Sequence, residues 1–151
     1  MSSELIKLHR ENAEIYHGED LCRQKFHELL ESFSLPRGVL PLDIIELGYN
    51  RSTGFIWLKQ KNKKVHKFHL INRTAHYDTE VTAFIEKGRL RNVTGVKSKE
   101  FFTWFYLSII YIKDPSSGKI EFAIASGLGS SFPISAFEIE NDKDDGQKNG
   151  S

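Results

Sequence analysis

The periodicity of apolar residues changes near Val39, and this change constrains the fold more than any other feature of the sequence. Before it, apolar residues recur at helical spacing. After it, apolar and polar residues alternate, and turn-forming residues recur about every eight to twelve positions. The second pattern is typical of sandwiches and barrels. We therefore expect a mainly β fold, an antiparallel β-barrel or sandwich with an N-terminal α-helical segment.

Two helices are predicted in the N-terminal segment, residues 1–35. The first covers residues 4–16. The second begins at Glu19, after Gly18, and ends before Pro36, because proline disfavours a helical backbone in the residue that precedes it. Its apolar stripe should pack on the sheet. The stripe consists of Cys22, Phe26, Leu29, Leu30 and Phe33.

The predicted β-domain covers residues 36–138. Its strands are predicted at residues 43–49, 55–60, 65–70, 80–86, 89–96, 101–112 and 119–125. Gly95 is expected at a bulge, and Pro133 should restrict residues 131–137 to a sheet edge, because proline cannot donate to the ladder. In residues 101–112 both alternating sets of side chains are apolar. We therefore expect one long strand there, covered by the core on one face and by the second helix on the other.

The charge balance argues against a partner that is recognised by charge along the whole chain. The formal net charge is +1, from 21 Lys and Arg against 20 Asp and Glu. Nucleic acid is therefore not an expected partner. Residues 139–151 are rich in acidic side chains, and we predict that they form an acidic disordered tail.

The cysteine content and the N-terminus predict a cytoplasmic location. The single cysteine, Cys22, can form neither an intramolecular disulfide nor a zinc site of several thiolates. The N-terminus lacks the apolar run of a signal peptide, and residues 101–112 are shorter than the roughly 20 residues that a membrane helix needs. We expect a cytoplasmic protein without a transmembrane segment, with peripheral membrane contact as one option.

The sequence contains no recognisable catalytic or metal-binding motif. His66 and His69 lie three residues apart in a predicted strand, and this odd spacing directs them to opposite faces of the sheet. Neither H-E-x-x-H nor G-x-S-x-G occurs. Cys22 lies on the stripe that should pack on the sheet, where a buried thiol is inert. We therefore predict a non-enzymatic protein with no catalytic residues, no metal and no cofactor.

Five lysines around one predicted hairpin form the strongest local concentration of charge. They are Lys59, Lys61, Lys63, Lys64 and Lys67. One interpretation is an ordinary solvated turn. The other is a surface for anionic lipid head groups, since a basic residue near an anionic membrane contributes about 1 kcal/mol. Phosphates of nucleic acid are less favoured, because Trp57 and Phe68 are expected to face the core instead of interleaving with the lysines.

Several strings, in order along the chain, resemble the plant family named domain of unknown function 538. They are LPRGVLP at residues 35–41, GFIWLKQ at 54–60, TEVTA at 79–83, residues 90–99 with GVK at 95–97, the strand that contains Trp104, and SFPIS at 131–135. The resemblance covers about residues 16–140. Within it, GEDLC at 18–22 and WLKQ at 57–60 are similar to the branch of the family named smaller trichomes with variable branches.

The resemblance implies an antiparallel β-barrel or sandwich, and a kinship with lipid-binding proteins of the bactericidal permeability-increasing type. It implies no catalytic residues, and the hydrolase activities suggested for the family transfer to no nucleophile in this sequence. Many relatives begin with a secretory signal and carry paired cysteines in the β-domain. This sequence shows neither feature, which agrees with the expected cytoplasmic location.

Our first hypothesis is a non-enzymatic binding module for a lipid or another hydrophobic small molecule. The aromatic residues expected to line its site are Trp57, Phe84, Trp104 and Phe122. The alternative for each is a place in a solid core, as in most small barrels. A second hypothesis is a protein-interaction factor in plant growth or stress response, which uses the basic loop, the sheet edge near Pro133 or the acidic tail. A third is a hydrolase, which needs a Ser, a His and an acid within hydrogen-bond reach.

Overall fold

Ten strands hydrogen-bond into one antiparallel sheet in the computed structural model, which describes residues 2–138. The strands are β1 Glu14–His17, β2 Ile44–Asn50, β3 Phe55–Gln60, β4 Lys64–Phe68, β5 Arg73–Glu86, β6 Arg89–Glu100, β7 Thr103–Tyr106, β8 Ile109–Tyr111, β9 Lys119–Ala123 and β10 Gly129–Pro133. Their order is β1-β2-β3-β5-β6-β8-β9-β10, with β4 paired to β5 and β7 paired to β6. The predicted mainly β fold is confirmed. The sheet is open and sandwich-like and does not close into a barrel.

Two α-helices, α1 Ser2–Arg10 and α2 Glu19–Ser32, cover opposite faces of β3. α2 packs on β1 and β2, and its apolar stripe joins the core that includes Ile56 and Leu58. α1 places Ile6 beside Phe55 and Trp57, which point to the other face of the same strand. Because neighbouring side chains of a strand point to opposite faces, β3 is buried on both of them.

β5 and β6 form a long hairpin that bends in the middle. The ladder pairs Tyr77 with Val96 and resumes on β5 at Thr82, so residues 78–81 lie opposite Gly95 alone. Gly95 has a φ of +82°, a conformation that residues with a Cβ rarely adopt. The predicted bulge at Gly95 is therefore confirmed, and it redirects the hairpin.

The bend divides the sheet into two layers. The small layer consists of β4, residues 73–77 of β5, residues 96–100 of β6, and β7. The main layer consists of the other strands and the remaining halves of β5 and β6. Side chains of the small layer and of the β9–β10 hairpin line a common cavity, so the two layers face each other there.

Residues 4–16 do not form one helix, and this prediction was wrong. α1 ends at Arg10, and Asn12 then adopts a left-handed backbone with a φ of +68°, which asparagine tolerates better than most residues. The chain next forms β1, which pairs with β2 and places Ile15 opposite Gly48. The N-terminal segment therefore contributes a strand to the sheet as well as helices.

Residues 101–112 do not form one long strand, and this prediction was also wrong. Phe101 and Phe102 form a two-residue turn between β6 and β7, and Leu107 and Ser108 separate β7 from β8. The continuous apolar composition predicted burial on both faces. However, α2 lies on β1 and β2 instead, and residues 101–106 are exposed.

Most other predicted elements overlap the observed ones, but β5 begins at Arg73, before the strand predicted at residues 80–86, and β4 ends at Phe68, so that His69–Ile71 form a 3₁₀ helix. α2 begins at Glu19 and buries Cys22, Phe26 and Leu30, and β2, β3 and β9 begin at or beside the predicted residues. β10, with Pro133, ends the strand order at a sheet edge, as predicted. The predicted tail, residues 139–151, lies outside the described residues. In the described part of the chain, no helix is both long enough and apolar enough to cross a membrane.

Candidate ligand-binding site

A cavity of about 260 Å³ lies between the small layer and the β9–β10 hairpin. One wall carries Ala75 and Tyr77 of β5 with Val96 of β6, and the opposite wall carries Phe122 of β9 and Phe132 of β10. Residues 75 and 77 point to the same face because side chains alternate along a strand. The walls are thus mainly apolar and are built from segments that are distant in the sequence.

Aromatic rings make the buried part of the cavity. Phe137 follows β10 in a short 3₁₀ turn, Ile134–Phe137, and its ring centroid lies 4.9 Å from that of Phe122 and 5.0 Å from that of Phe68. Tyr77 is fully buried, and this burial raises the pKa of its hydroxyl group. Tyr77 therefore stays neutral and acts as part of an apolar wall.

The mouth of the cavity carries a cluster of polar side chains. Arg73 donates to both carboxylate oxygens of Glu100, at 2.8 and 3.2 Å, and to the hydroxyl of Ser130 at 3.4 Å. The guanidinium carbon also lies 5.1 Å from the ring centroid of Phe132. The side chains of Arg73 and Glu100 are 26% and 36% exposed, so this cluster lies where the cavity meets solvent.

The structure places only one of the four predicted ligand-binding aromatics in this cavity, namely Phe122. Trp57 and Phe84 lie in the separate cluster beneath α1. Trp104 lies on the outer face of the small layer and is 37% exposed. The expectation of a common aromatic lining assumed that all strands share one interior, whereas β3 is covered by helices and β7 ends the small layer.

Trp57 takes part in a polar network instead of a ligand site. Its indole N–H donates to Glu46 at 2.8 Å, and the same carboxylate lies 3.0 Å from His17, 3.7 Å from Arg10 and 3.8 Å from Lys59. Desolvation by burial raises the pKa of Glu46. The hydrogen bonds from Trp57 and His17 and the charges of Lys59 and Arg10 outweigh it, and the pKa lies below its ordinary value. This network ties α1 and β1 to the sheet.

The five lysines predicted to contact an anionic surface do not share one environment. Lys59 lies between Glu46 and Glu80, at 3.8 and 3.9 Å, and Lys64 lies 3.3 Å from Asp43. The exposed members are Lys61, Lys63 and Lys67. These three are the members available to a partner, and their contact with an anionic surface stays a prediction.

The histidines and the cysteine considered for chemistry are dispersed. The His66 ring lies 4.6 Å from that of Phe68, whereas His76 lies 6.0 Å from Trp104. Cys22 is buried as predicted, and burial raises the pKa of its thiol. Among residues 2–138 there is no group of three or more acidic, histidine or cysteine side chains that could hold a metal ion. That the protein is not an enzyme stays a prediction.

Most of this architecture matches a known protein family. Residues 26–138 match the family described as protein of unknown function, DUF538. The chain belongs to this family. The matched residues include β2 to β10, and therefore both walls and the mouth of the cavity, but not α1 or β1. No curated protein and no solved structure matches the chain. The match does not distinguish branches of DUF538, so the similarity to the trichome branch stays a prediction.

Reasoning from the sequence missed Arg73, Glu100 and Ser130. Each has the character of an ordinary surface residue, and their proximity depends on the register of the β5–β6 hairpin and on the return of β10. One signal was present in the sequence. Arg73 alternates with Ala75 and Tyr77, which places an arginine on the buried face of a strand.

Proposed function

We propose that this DUF538 protein is a non-enzymatic binding module that holds a small amphiphile with an anionic head group. The apolar part of the ligand lies in the cavity, and the head group lies against Arg73. The observation that carries the proposal is an apolar cavity with a single arginine at its mouth. Small-molecule sites commonly combine apolar walls with a few placed polar groups in this way.

The volume of the cavity indicates the size of the ligand. An apolar cavity of about 150 Å³ can hold benzene, so about 260 Å³ accommodates about ten non-hydrogen atoms. A medium-chain carboxylic acid such as decanoic acid is close to this size. A membrane lipid with two complete acyl chains is too large to be enclosed.

The polar cluster at the mouth favours an anionic head group. Within the described residues, the hydrogen bonds of Arg73 use three of the five N–H donors of a guanidinium. Glu100 is partly exposed, so it can turn toward solvent when a ligand carboxylate takes its place. A fork of N–H donors matches a carboxylate in geometry as well as in charge.

The test is a titration with decanoic acid, monitored by isothermal titration calorimetry. Ser98 lies on the cavity face of β6, and Ser98→Phe should lower the affinity by about tenfold or more because the new ring occupies the cavity. Ser131 is exposed on β10 and does not line the cavity, so Ser131→Phe is the matched control and should bind normally. Equal binding by wild type and Ser98→Phe would refute the cavity as the site.

The role of Arg73 is tested with decanol as an uncharged ligand of the same length. A hydrogen bond to a charged group contributes about 1.5–3 kcal/mol, so Arg73→Gln should weaken binding of decanoic acid by about tenfold or more. Binding of decanol should change little. If both ligands lose affinity equally, Arg73 shapes the cavity and does not recognise the head group.

The proposal includes the expected setting of the protein, a plant cytoplasm in which it acts in growth, stress response or trichome development. What supports this setting is the resemblance of the family strings, such as those at residues 35–41, 54–60 and 131–135, and of residues 18–22 and 57–60 to the trichome branch, not the geometry of the cavity. Native mass spectrometry of the gently purified protein, with solvent extraction, would identify a ligand that travels with it.

A further inference from the structure

Three turns meet at the mouth of the cavity, and each carries exposed apolar side chains. The hydrogen bonds among Arg73, Glu100 and Ser130 hold the three turns together. We call the apolar residues of these turns the apolar tip. They are Leu70, Phe101, Phe102 and Leu128, which are 63%, 88%, 93% and 73% exposed. Large apolar side chains that are grouped at the surface mark an interaction site.

Phe101 and Phe102 occupy a backbone conformation that disfavours them. They form the two-residue turn between Glu100 and Thr103, which pair across the hairpin, and their φ angles are +50° and +71°. Two-residue turns with positive φ at both positions strongly prefer Asn-Gly. A conformation of this kind persists only where the surrounding structure imposes it, and such positions cluster at functional sites. Here the turn exposes two aromatic rings instead of burying them.

Lysines and amphipathic aromatic residues adjoin the apolar tip on the outer face of the small layer. The Lys97 ammonium lies 5.9 Å from the ring of Trp104 and 5.4 Å from that of Tyr106, and the Lys99 ammonium lies 5.8 Å from Trp104. Lys67 is exposed on β4 of the same layer. Trp and Tyr are enriched at membrane interfaces, and lysines are attracted to anionic head groups.

We propose that the apolar tip docks the protein on an anionic lipid bilayer. Phe101 and Phe102 enter the interfacial region, and Lys67, Lys97 and Lys99 contact the head groups. Charge complementarity favours an anionic bilayer, because the ligand-free protein pairs Glu100, the acidic residue beside the turn, with Arg73. The docking relies on Phe101 and Phe102, which do not line the cavity, and so it goes beyond the proposed binding function.

The proposed surface differs from the one predicted from the sequence. β4 begins with Lys64, beside the turn that carries Lys61 and Lys63, and ends with Phe68, just before Leu70 of the apolar tip. The lysine turn and the apolar tip therefore lie at opposite ends of the same strand. Variants at the two ends distinguish the two surfaces.

The decisive variant is Phe101→Asn/Phe102→Gly, measured by flotation with phosphatidylcholine vesicles that contain phosphatidylserine. We expect wild type to float with the vesicles and the variant to lose affinity by about tenfold or more, because it removes the apolar surface that would be buried. The thermal midpoint of the variant should rise, because Asn-Gly suits the turn. A loss of binding then cannot result from unfolding.

Two pairs of single variants each compare a residue of the proposed surface with a similarly exposed residue of the same type elsewhere. Leu128→Ser should weaken flotation, whereas Leu8→Ser, at a residue that is 72% exposed on α1, should not. Lys99→Glu should weaken it more than Lys113→Glu, since Lys113 is exposed but lies between β8 and β9.

Three outcomes overturn the proposal. The first is a wild type that stays with the unbound fraction at low ionic strength. The second is a double-Phe variant that floats like wild type, in particular if charge reversal of Lys61, Lys63 and Lys64 to Glu abolishes flotation. The third is a wild type that forms dimers, which the double variant dissociates, without binding to vesicles. That result would assign the apolar tip to a second copy of the chain.

Discussion

Replacing Gly95 with alanine should destabilise the fold much more than the same change at Gly88. The two residues have φ angles of +82° and +68°, which cost an alanine about 1–2 kcal/mol in either position. A Cβ at Gly95 would lie 2.3 Å from the carbonyl oxygen of Glu80. At Gly88 the nearest atom, the carbonyl oxygen of Ile112, would lie at an ordinary 3.8 Å. Gly88→Ala therefore isolates the backbone contribution.

The conflict at Gly95 involves backbone atoms, which cannot rotate away as a flexible side chain would. The Cα of Val81 would also lie only 3.3 Å from the new Cβ, so the bend between the two layers has to open. Overpacking of this kind costs about 1–3 kcal/mol. We therefore expect Gly95→Ala to lower the free energy of unfolding by about 2–5 kcal/mol, against about 1–2 kcal/mol for Gly88→Ala.

Equilibrium unfolding in urea measures both variants. Trp57 lies in the main layer and Trp104 in the small layer, so tryptophan fluorescence reports on both sides of the bend. The midpoint should fall further for Gly95→Ala than for Gly88→Ala. Equal losses at the two glycines would refute the argument that close contact with Glu80, and not φ alone, requires glycine at the bend.

Two further predictions concern Glu46 of β2 and Cys22 of α2. Because the pKa of Glu46 is lowered by folding, its ionised form stabilises the native state above the unfolded pKa, and this contribution is lost as the pH falls through the folded pKa. The free energy of unfolding of wild type should therefore exceed that of Glu46→Gln at neutral pH, and the difference should shrink as the pH falls below the ordinary pKa of a glutamate; a constant difference would contradict this. Cys22 is fully buried and burial raises the pKa of its thiol, so Ellman's reagent should react with it only in denaturant.

The sequence predicted the elements whose apolar pattern has a single period. α2 and β9 each bury one stripe or one face, as the patterns at Cys22 and at Ile120 indicate, and both lie at the expected residues. The strand prediction failed where most residues are apolar and do not alternate with polar ones. Residues 101–112 suggested a buried strand because nothing in their composition distinguishes burial in a core from display at a surface. Only the position of α2 reveals that no helix among the described elements covers them.

The candidate site was harder to predict than the fold for a related reason. Arg73 and Glu100 are 27 residues apart, and Ser130 is 57 residues from Arg73, so their cluster depends on strand register. At the bend, residues 78–81 of β5 lie opposite Gly95 alone, and this shifts the register. The alternation of apolar and polar residues in the sequence does not reveal how many residues such a bend contains. The four aromatic residues predicted to line a ligand site were assigned to one interior because the sequence does not show the bend. In the structure, Trp57 and Phe84 lie in the cluster beneath α1, apart from the cavity that contains Phe122.

One hairpin positions both the cavity mouth and the apolar tip. Beyond the bend, β5 and β6 bring Arg73 opposite Glu100, and the next residues of β6 lead directly into Phe101 and Phe102. A protein docked through these two phenylalanines would therefore present Arg73 near the head groups, where an amphiphile leaving the bilayer meets it. The two roles share Leu128, which lines the cavity, but they do not share the phenylalanines, because neither Phe101 nor Phe102 lines it. Phe101→Asn/Phe102→Gly should consequently bind decanoic acid like wild type while it fails to dock, and a parallel loss of both would mean that the turn shapes the cavity itself.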